Sequence, residues 1–253
     1  MRTCDARHVG ACHTIIDPRL RIDPPQHLIF IDVANACLVR RPGRCKYVAL
    51  SYVWGKSGTP FQTTKDNLDE LLRPGALDRY RMSIPDTIRD SMAFVGSIGQ
   101  RYLWVDRFAI IQDDNAHTNA QLKNMAGIYF NAYFTIVAAE GSDDTYGLRG
   151  LPSSARPRLL QARSLDFSST SSFYYVLRSH HDTGKYDERG WTFQEYELSP
   201  RKVIFRNNGV EWNCCQYLWG EFEAKPHFRG RISHTPSYGF FRIEAVLFHG
   251  YAV

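Results

Sequence analysis

Two acidic residues with aromatic or basic neighbours are the best candidates for chemistry in this chain. Glu195 lies four residues after Trp191 in the segment RGWTFQE, so on a helix the two side chains share one face. A carboxylate stabilises a developing positive charge, while an indole stacks on a planar ring. Asp106 and Arg107 interrupt the apolar run YLWVDRFAIIQDD, Tyr102 to Asp114, where unpaired charges are costly to bury. We therefore take Glu195 and Asp106 as candidate catalytic acids and Arg107 as a candidate substrate-binding residue.

Each of these charged residues also has a structural interpretation. Glu195 can pair with Arg189 or Arg201 to fix a hairpin, and Asp106 is typical of an acid that binds the amides of a loop. Arg189 can hold a pyrophosphate with its planar fork or pair with neighbouring acids in solvent. Both interpretations stay open at the level of sequence.

A second group of candidate binding residues follows the apolar run KYVALSYVWG. Ser51 and Tyr52 carry hydroxyl groups, Trp54 offers a stacking surface, and Gly55 permits close approach of the backbone to a ligand. The alternative is that Trp54 is a core residue and that the two hydroxyl-bearing side chains serve packing. We include all four as candidate substrate-binding residues.

The elements that position these residues alternate along the chain. Apolar runs rich in β-branched and aromatic residues are separated by two helical patterns, one beginning at Ser83-Ile84-Pro85-Asp86 and ending at Gly99, the other capped by Asp114 or Asn115. This alternation of strands and helices predicts a mainly parallel, three-layer α/β fold. Its polar residues lie at the carboxyl ends of the strands, where ligands bind. The predicted adjacent parallel strands are 47–53, 102–105 and 134–139, with helices from about Pro85 and about Ala116 packed on the sheet.

The C-terminal half has a different texture. Residues 151–172 are rich in Pro, Ser and Arg and predict a connection, whereas residues 173–215 predict a β-rich part in which Asn208-Gly209 forms a hairpin turn. We expect an N-terminal segment over 1–31, one domain over 32–215 with its α/β core ending near residue 150, and a tail over 216–253 packed on that domain.

Composition limits the classes of partner. The chain has 31 basic and 26 acidic residues, a net charge of +5, which is too mild to make nucleic acid the expected partner. No apolar run approaches the ~20 residues that span a bilayer, and the N-terminus lacks a signal-peptide core. WGKSGTP is not a phosphate-binding P-loop, because Leu50 stands where the first Gly is required. We expect a cytoplasmic protein without a membrane partner.

Six cysteines include no C-x-x-C pair and indicate reduced thiols. Cys4, His8, Cys12 and His13 are of metal-binding type, but on a continuous helix Cys4 and Cys12 would lie ~12 Å apart and could not share an ion. Only a non-helical path of the chain would bring them together. We therefore expect no metal.

Several longer segments occur together in an order that resembles the fungal heterokaryon-incompatibility (HET) domain family. The resemblance covers roughly Asp32 to Cys214. It implies an intracellular module that triggers cell death when a non-self partner is sensed, and a distant similarity to TIR domains, whose flavodoxin-like parallel sheet in many members cleaves NAD. The segments are YVALSYVWG, IPDTIRDSM, YLWVDRFAIIQDD, MAGIYFNAYFTIVAAEG, GLRGLP and RGWTFQEYELSPR.

The resemblance implies a TIR-like NAD glycohydrolase that uses NAD or a related nucleotide as substrate and needs no cofactor. Loss of nicotinamide passes through an oxocarbenium-like centre, which Glu195 would stabilise. Trp54 and Trp191 would stack on the planar rings of the nucleotide, and Arg189 with Asp106 would bind or orient this substrate. The expected partner is a second copy of the chain or an upstream non-self sensor protein. The alternative is a non-catalytic module that signals by self-assembly and partner binding.

The chain departs from the family pattern beside Asp106. Arg107, Phe108 and Ala109 stand where relatives usually have Ala-Leu-Cys, which excludes a thiol nucleophile there. Glu140 stands where a small residue is more usual. Either Arg107 and Glu140 compensate each other across neighbouring strand ends, or the site is degenerate.

Overall fold

The computed structural model describes the backbone in a set of ranges that includes most of the candidate residues. Arg189 and Trp191 lie outside the described residues, so their predicted roles stay predictions. The described residues are 1–8, 12, 22–55, 61–151, 157, 162–168, 171–176, 186, 195–207, 209–221 and 227–228.

Helices and strands alternate through the first half of the chain, and strands dominate the second half. The helices are α1 (Arg2–Arg7), α2 (Leu68–Leu71), α3 (Ala76–Arg79), α4 (Asp86–Ser97), α5 (Asp106–Ala109) and α6 (Asn115–Asn131). The strands are β1 (His27–Asp32), β2 (Cys37–Pro42), β3 (Val48–Ser51), β4 (Tyr102–Trp104), β5 (Phe134–Ala138), β6 (Ala162–Ser168), β7 (Ser171–Val176), β8 (Arg201–Arg206), β9 (Gly209–Cys214), β10 (Tyr217–Gly220) and β11 (His227–Phe228).

Nine of these strands form one sheet, in the order β11-β10-β9-β8-β5-β3-β4-β1-β2. β3 is parallel to both β4 and β5, which confirms that the three predicted strands are adjacent and parallel. β8 pairs parallel with β5, whereas β1 and β2 on one side and β9 to β11 on the other pair antiparallel. The prediction of a mainly parallel sheet is therefore wrong, because short connections that add hairpins at both sides permit only antiparallel pairing.

The central strand β3 is buried on both faces. Val48 and Leu50 belong to a core that includes Ile88 and Val95 of α4. Tyr47, just before the strand, and Ala49 belong to a second core that includes Met125 and Ile128 of α6. Because successive strand residues point to opposite faces, this alternation places α4 on one face of the sheet and α6 on the other. We call these the α4 face and the α6 face.

Both long helices begin where the sequence predicted, and α4 also ends there. The Asp114 side chain accepts hydrogen bonds from the backbone N–H of Ala116 and His117, and so caps the start of α6. Pro85 precedes α4, and Gly99 follows that helix with a φ of +72°, a left-handed conformation that glycine adopts without strain.

Two tyrosine hydroxyls fix α6 on β3. Tyr47 donates to the Ile128 carbonyl oxygen at 2.5 Å, and Tyr129 of α6 donates to the Leu50 carbonyl oxygen at 3.1 Å. One bond runs from the strand region to the helix and the other runs back. The two bonds therefore set both the height and the rotation of the helix on the sheet.

The edge strand β2 is polar at its end. Cys37 and Leu38 are buried, whereas Arg40, Arg41 and Pro42 are exposed. Pro has no N–H to offer a further strand. This end of the sheet edge is therefore charged and poor in hydrogen-bond donors.

The C-terminal strands contain the predicted hairpin, displaced by one residue. Arg206 pairs with Gly209, so Gly209 is the first residue of β9 rather than part of the turn. β6 and β7 form a separate two-stranded sheet, and β6 begins within the predicted connection 151–172. Within the described part of the chain, no helix combines the length and apolar character needed to cross a membrane. All six cysteines are free thiols.

Candidate functional site

The candidate residues gather where the parallel strands end. Ser51 is the last residue of β3, Asp106 follows β4 and begins α5, and Asp144 follows β5. Because parallel strands end at the same edge of a sheet, these three side chains come from segments far apart in sequence to one edge.

Asp106 is held by two donors. Trp54 Nε1 donates to Asp106 Oδ2 at 2.7 Å, and the backbone N–H of Arg107 donates to Asp106 Oδ1 at 2.7 Å. Burial raises the pKa of Asp106, and these two hydrogen bonds act against that rise. Burial, and after it the charge of Asp106, raise the pKa of Tyr52, whose ring stacks on Trp54 at 6.5 Å between centroids. Tyr52 is therefore a protonated hydroxyl beside a buried acid.

Arg107 forms a buried ion pair with Asp144. The Arg107 Nη2 atom lies 2.5 Å from Asp144 Oδ2, and their side chains are only 2% and 6% exposed. The guanidinium also lies over the Trp54 ring, 4.7 Å from its centroid. Asn207 donates to Glu140 at 3.2 Å, so the suggested pairing of Arg107 with Glu140 is wrong. Asp144 is the compensating acid.

Gly55 lies against this ion pair. A Cβ atom at position 55 would come 2.6 Å from Asp144 Oδ1, closer than real Cβ contacts. The residue type is therefore required for the Asp144 carboxylate to occupy its place, which is a packing reason rather than an approach of backbone to ligand.

Arg107 and Asp144 line an open cleft of about 710 Å³. This volume is in the range of small-molecule sites. Arg89 adds a second guanidinium and Asp86 a second carboxylate to its wall. Gly55, Phe61, Met82, Ser83, Ile84, Pro85 and Thr145 complete the described lining.

Glu195 is bound at the end of β3. Ser51 Oγ donates to Glu195 Oε2 at 2.5 Å, across 144 positions of sequence, and also lies 2.6 Å from the Tyr186 hydroxyl. Glu195 is 9% exposed and Ser51 fully buried. Burial, and after it the Glu195 charge, raise the pKa of Tyr129. Arg201, one of the two arginines considered as a structural partner of Glu195, pairs with Asp5 at 2.7 Å.

The candidate residues lie on both faces of the sheet. Ser51 alternates with Leu50 and bonds Tyr186, which packs with Val137 and Ile204, so Glu195 lies on the α6 face. Trp54, by contrast, packs against the core of the α4 face, where its ring contacts Arg107 at the cleft.

Asp106 lies between these two groups. Its charge raises the pKa of both Tyr52 on the α4 face and Tyr129 on the α6 face, in each case after burial as the larger cause. If Asp106 and Arg107 lie at a working crevice, we expect them to share one cavity with Trp54 and the segment 189–195. Among the described residues, the cleft is lined by Arg107 and Gly55 but not by Glu195.

Sequence reasoning missed three residues of this edge. Asp144 follows β5 in the segment EGSDD, just as Asp106 follows β4, so the repeated strand-then-acid pattern was a usable signal. Tyr129 lies in a helix whose sequence indicates only packing, although its hydroxyl reaches the strand. Tyr186 had no signal, because its role depends on contact with a strand 135 residues away.

A second polar cluster lies near the N-terminus. The ligand atoms of Cys4, His8, Cys12 and Cys214 all lie within 4.8 Å of one another. The expected separation of ~12 Å between Cys4 and Cys12 applies only to one continuous helix. Because α1 ends at Arg7, the two residues are not on one helix, and their sulfur atoms lie within 4.8 Å of each other. The pKa of the Cys214 thiol is lowered to about 4, because Cys4 and two backbone N–H groups donate to its sulfur.

A mixed sheet with a parallel centre, helices on both faces and acids at the strand ends defines an α/β domain. Residues 47–195, more than half of the chain, match the profile of the heterokaryon incompatibility protein (HET) family. The chain therefore belongs to the HET family, as the motifs predicted. No curated protein sequence and no solved structure matches the chain at a significant level. The matched range begins just before β3 and ends at Glu195, and so includes both halves of the candidate site.

Proposed function

We propose that this chain is a HET-domain effector of cell death in fungal non-self recognition and that it acts by hydrolysing NAD at the nicotinamide bond. Membership of the family supports the first statement. The position of Glu195 carries the second. The acid of RGWTFQE is bonded to Ser51, the residue that ends the central parallel strand.

The topology supports a ligand site at this edge. The parallel strands stand in the order β4-β3-β5-β8, which is second, first, third, fourth along the chain. Doubly wound flavodoxin-like sheets have this order, and their ligands bind where it reverses, between the first and third strands. We accordingly propose a three-layer core of flavodoxin or TIR type. The cleft of about 710 Å³ lies beside these strand ends, and the arginines of its described lining are each paired with an acid, Arg107 with Asp144 and Arg89 with Asp86.

Glu195 is the principal carboxylate in the proposed reaction. As the N-glycosidic bond of NAD breaks, its electron pair leaves with nicotinamide, and the carboxylate stabilises the oxocarbenium-like ribose. Water then adds to the sugar carbon and a proton is released, which gives ADP-ribose. Ser51 orients Glu195, and Asp106 orients the Trp54 ring through the hydrogen bond that it accepts from Nε1. We keep Arg189 and Trp191 as proposed binding and stacking residues, and a second copy or a sensor protein as partner.

One observation favours a second candidate function. Glu195 is only 9% exposed, and Ser51 and Tyr186 form a hydrogen-bonded group with it. Such a buried network also suits a clamp that holds residues near position 195 on β3. The chain would then signal without catalysis, by self-assembly and partner binding.

Glu195→Gln separates the two functions, with Glu197→Gln as the matched control. Glu197 is exposed and lies two residues along the same segment. Release of nicotinamide from NAD and thermal unfolding are measured on the same full-length preparations, at a concentration or crowding that favours assembly. We expect Glu195→Gln to lose turnover by about 10²-fold or more with little change in melting temperature, and Glu197→Gln to match the wild type.

The clamp predicts the reverse for Glu195→Gln. Loss of a buried, hydrogen-bonded acid would then cost on the order of 3 kcal/mol of unfolding free energy, while any cleavage per folded molecule would persist. Cleavage by Glu195→Gln at the wild-type rate removes the residue from catalysis. Absence of nicotinamide release by assembled wild-type protein refutes NAD hydrolysis as the function.

A further inference from the structure

Three thiols and one imidazole lie close together between α1 and the end of β9. Cys4 belongs to α1, His8 follows that helix, Cys12 lies beyond it, and Cys214 ends β9. The four residues are 4%, 9%, 1% and 1% exposed, and their ligand atoms lie within 4.8 Å of one another. His8 Nδ1 is 3.6 Å from Cys12 Sγ and 3.7 Å from Cys214 Sγ.

Two of the six ligand-atom separations match those of a tetrahedral zinc site, and all six are within 4.8 Å. Zn²⁺ binds thiolate sulfur at ~2.3 Å and imidazole nitrogen at ~2.0–2.1 Å, so tetrahedral ligand atoms stand ~3.5–3.8 Å apart. The two measured nitrogen to sulfur distances, 3.6 and 3.7 Å, fall in that range. We propose that Cys4, His8, Cys12 and Cys214 bind one Zn²⁺ ion as a structural site.

The chemistry of the ligands selects the ion and the role. Thiolate and imidazole ligands favour zinc over magnesium or calcium, which prefer oxygen. Four protein ligands close the coordination shell, and closed shells are typical of structural sites, whereas catalytic zinc keeps one position open. The site is therefore a fold clamp, separate from the acids at the carboxyl edge of the sheet.

The surroundings support this assignment. The backbone N–H of Tyr217 donates to Cys214 Sγ at 3.4 Å, the kind of outer bond that stabilises a coordinated thiolate. The Tyr217 ring stacks on His8 with 5.1 Å between centroids and 9° between planes, and so fixes the imidazole orientation. Cys215 is directed elsewhere, with its sulfur 3.5 Å from the Pro200 carbonyl oxygen.

The ion would join segments at opposite ends of the chain. His8 and Cys214 are 206 positions apart, and the Asp5 ion pair with Arg201 at 2.7 Å is a further contact between the α1 segment and the sheet. A metal link is stable in a reducing compartment, where a disulfide is not. Zinc therefore adds a cross-link between α1 and the end of β9 that the thiols alone do not provide.

Metal content of the full-length protein tests the site. After removal of metal with a chelator under reducing conditions, the protein is given Zn²⁺, or Co²⁺ as a coloured substitute, and the bound ion is counted. We expect one equivalent of zinc, the visible bands of tetrahedral thiolate-bound Co²⁺, and slower alkylation of Cys4, Cys12 and Cys214 with zinc than without it. Removing the ion should lower the melting temperature by roughly 5 °C or more.

Matched serine variants locate the ligands. Cys4→Ser and Cys214→Ser should lose the ion, and Cys215→Ser, next in the chain but outside the cluster, should keep one equivalent. If Cys214→Ser does not fold, thiol protection and the Co²⁺ spectrum of the wild type decide. Equal alkylation rates of Cys4, Cys12 and Cys214 with and without Zn²⁺ would overturn the proposal. So would a Cys4–Cys214 disulfide in place of bound metal, or full zinc binding by Cys214→Ser.

Discussion

The buried ion pair of Arg107 and Asp144 makes a sharp prediction about stability. Its two side chains are 2% and 6% exposed and 2.5 Å apart, so removal of one charge leaves the other uncompensated in the interior. Asp144→Asn keeps the volume of the side chain and removes its charge. We expect it to lower the free energy of unfolding by about 3 kcal/mol. For a chain of this size the melting temperature should fall by roughly 6–12 °C.

The double variant Arg107→Met with Asp144→Asn measures the coupling directly. With both charges of the pair removed, most of the lost stability should return, which gives an interaction energy of about 2 kcal/mol in a double-mutant cycle. The cycle uses urea unfolding at neutral pH. Glu211→Gln is the control, because Glu211 pairs with Arg206 at 3.9 Å with both side chains about a quarter exposed. A cost for Asp144→Asn as small as that control, or strict additivity in the cycle, would refute the reasoning.

Two further predictions concern pH and backbone space. Burial raises the pKa of Asp32, but hydrogen bonds from Arg101 and from backbone N–H groups outweigh it and hold the pKa below its usual value. The ionised Asp32 therefore stabilises the folded state. Its contribution is complete above about pH 4 and is lost as pH falls through the folded-state pKa. Asp32→Asn should therefore be less stable than wild type at neutral pH, with the difference in melting temperature closing towards pH 2; a constant difference contradicts this. Gly55→Ala should lower the melting temperature because its Cβ meets Asp144, whereas Gly96→Ala inside α4, where the nearest atom is 4.0 Å away, should raise stability by about 0.5–1 kcal/mol. Equal effects of the two alanines would contradict the contact.

The centre of the fold was predictable because local pattern dictates it. Buried runs of β-branched and aromatic residues predicted β3, β4 and β5. The charge of Asp106 indicated that β4 ends before this residue, and the structure confirms it. The antiparallel strands were harder. Residues 27–42 form β1 and β2, but where that hairpin attaches depends on β4, a contact that no local pattern contains.

The site was predictable in its residue types but not in its geometry. The bond between Ser51 and Glu195 spans 144 positions and depends on the order of strands in the sheet, so neither segment announces it. The N-terminal cluster was missed for another reason. A helix continued past Arg7 would hold Cys4 and Cys12 far apart, but α1 ends at Arg7 and their sulfur atoms lie within 4.8 Å of each other.

The polar end of β2 restricts how copies of this chain can associate. A sheet extends from one molecule to the next when an incoming strand finds free N–H and C=O groups at the edge. At this edge Arg40 and Arg41 of two copies would repel each other, and Pro42 offers no donor. In-register association of two copies through this end of β2 is therefore disfavoured, so a polymer that grows by adding strands must use another edge than the polar end of β2.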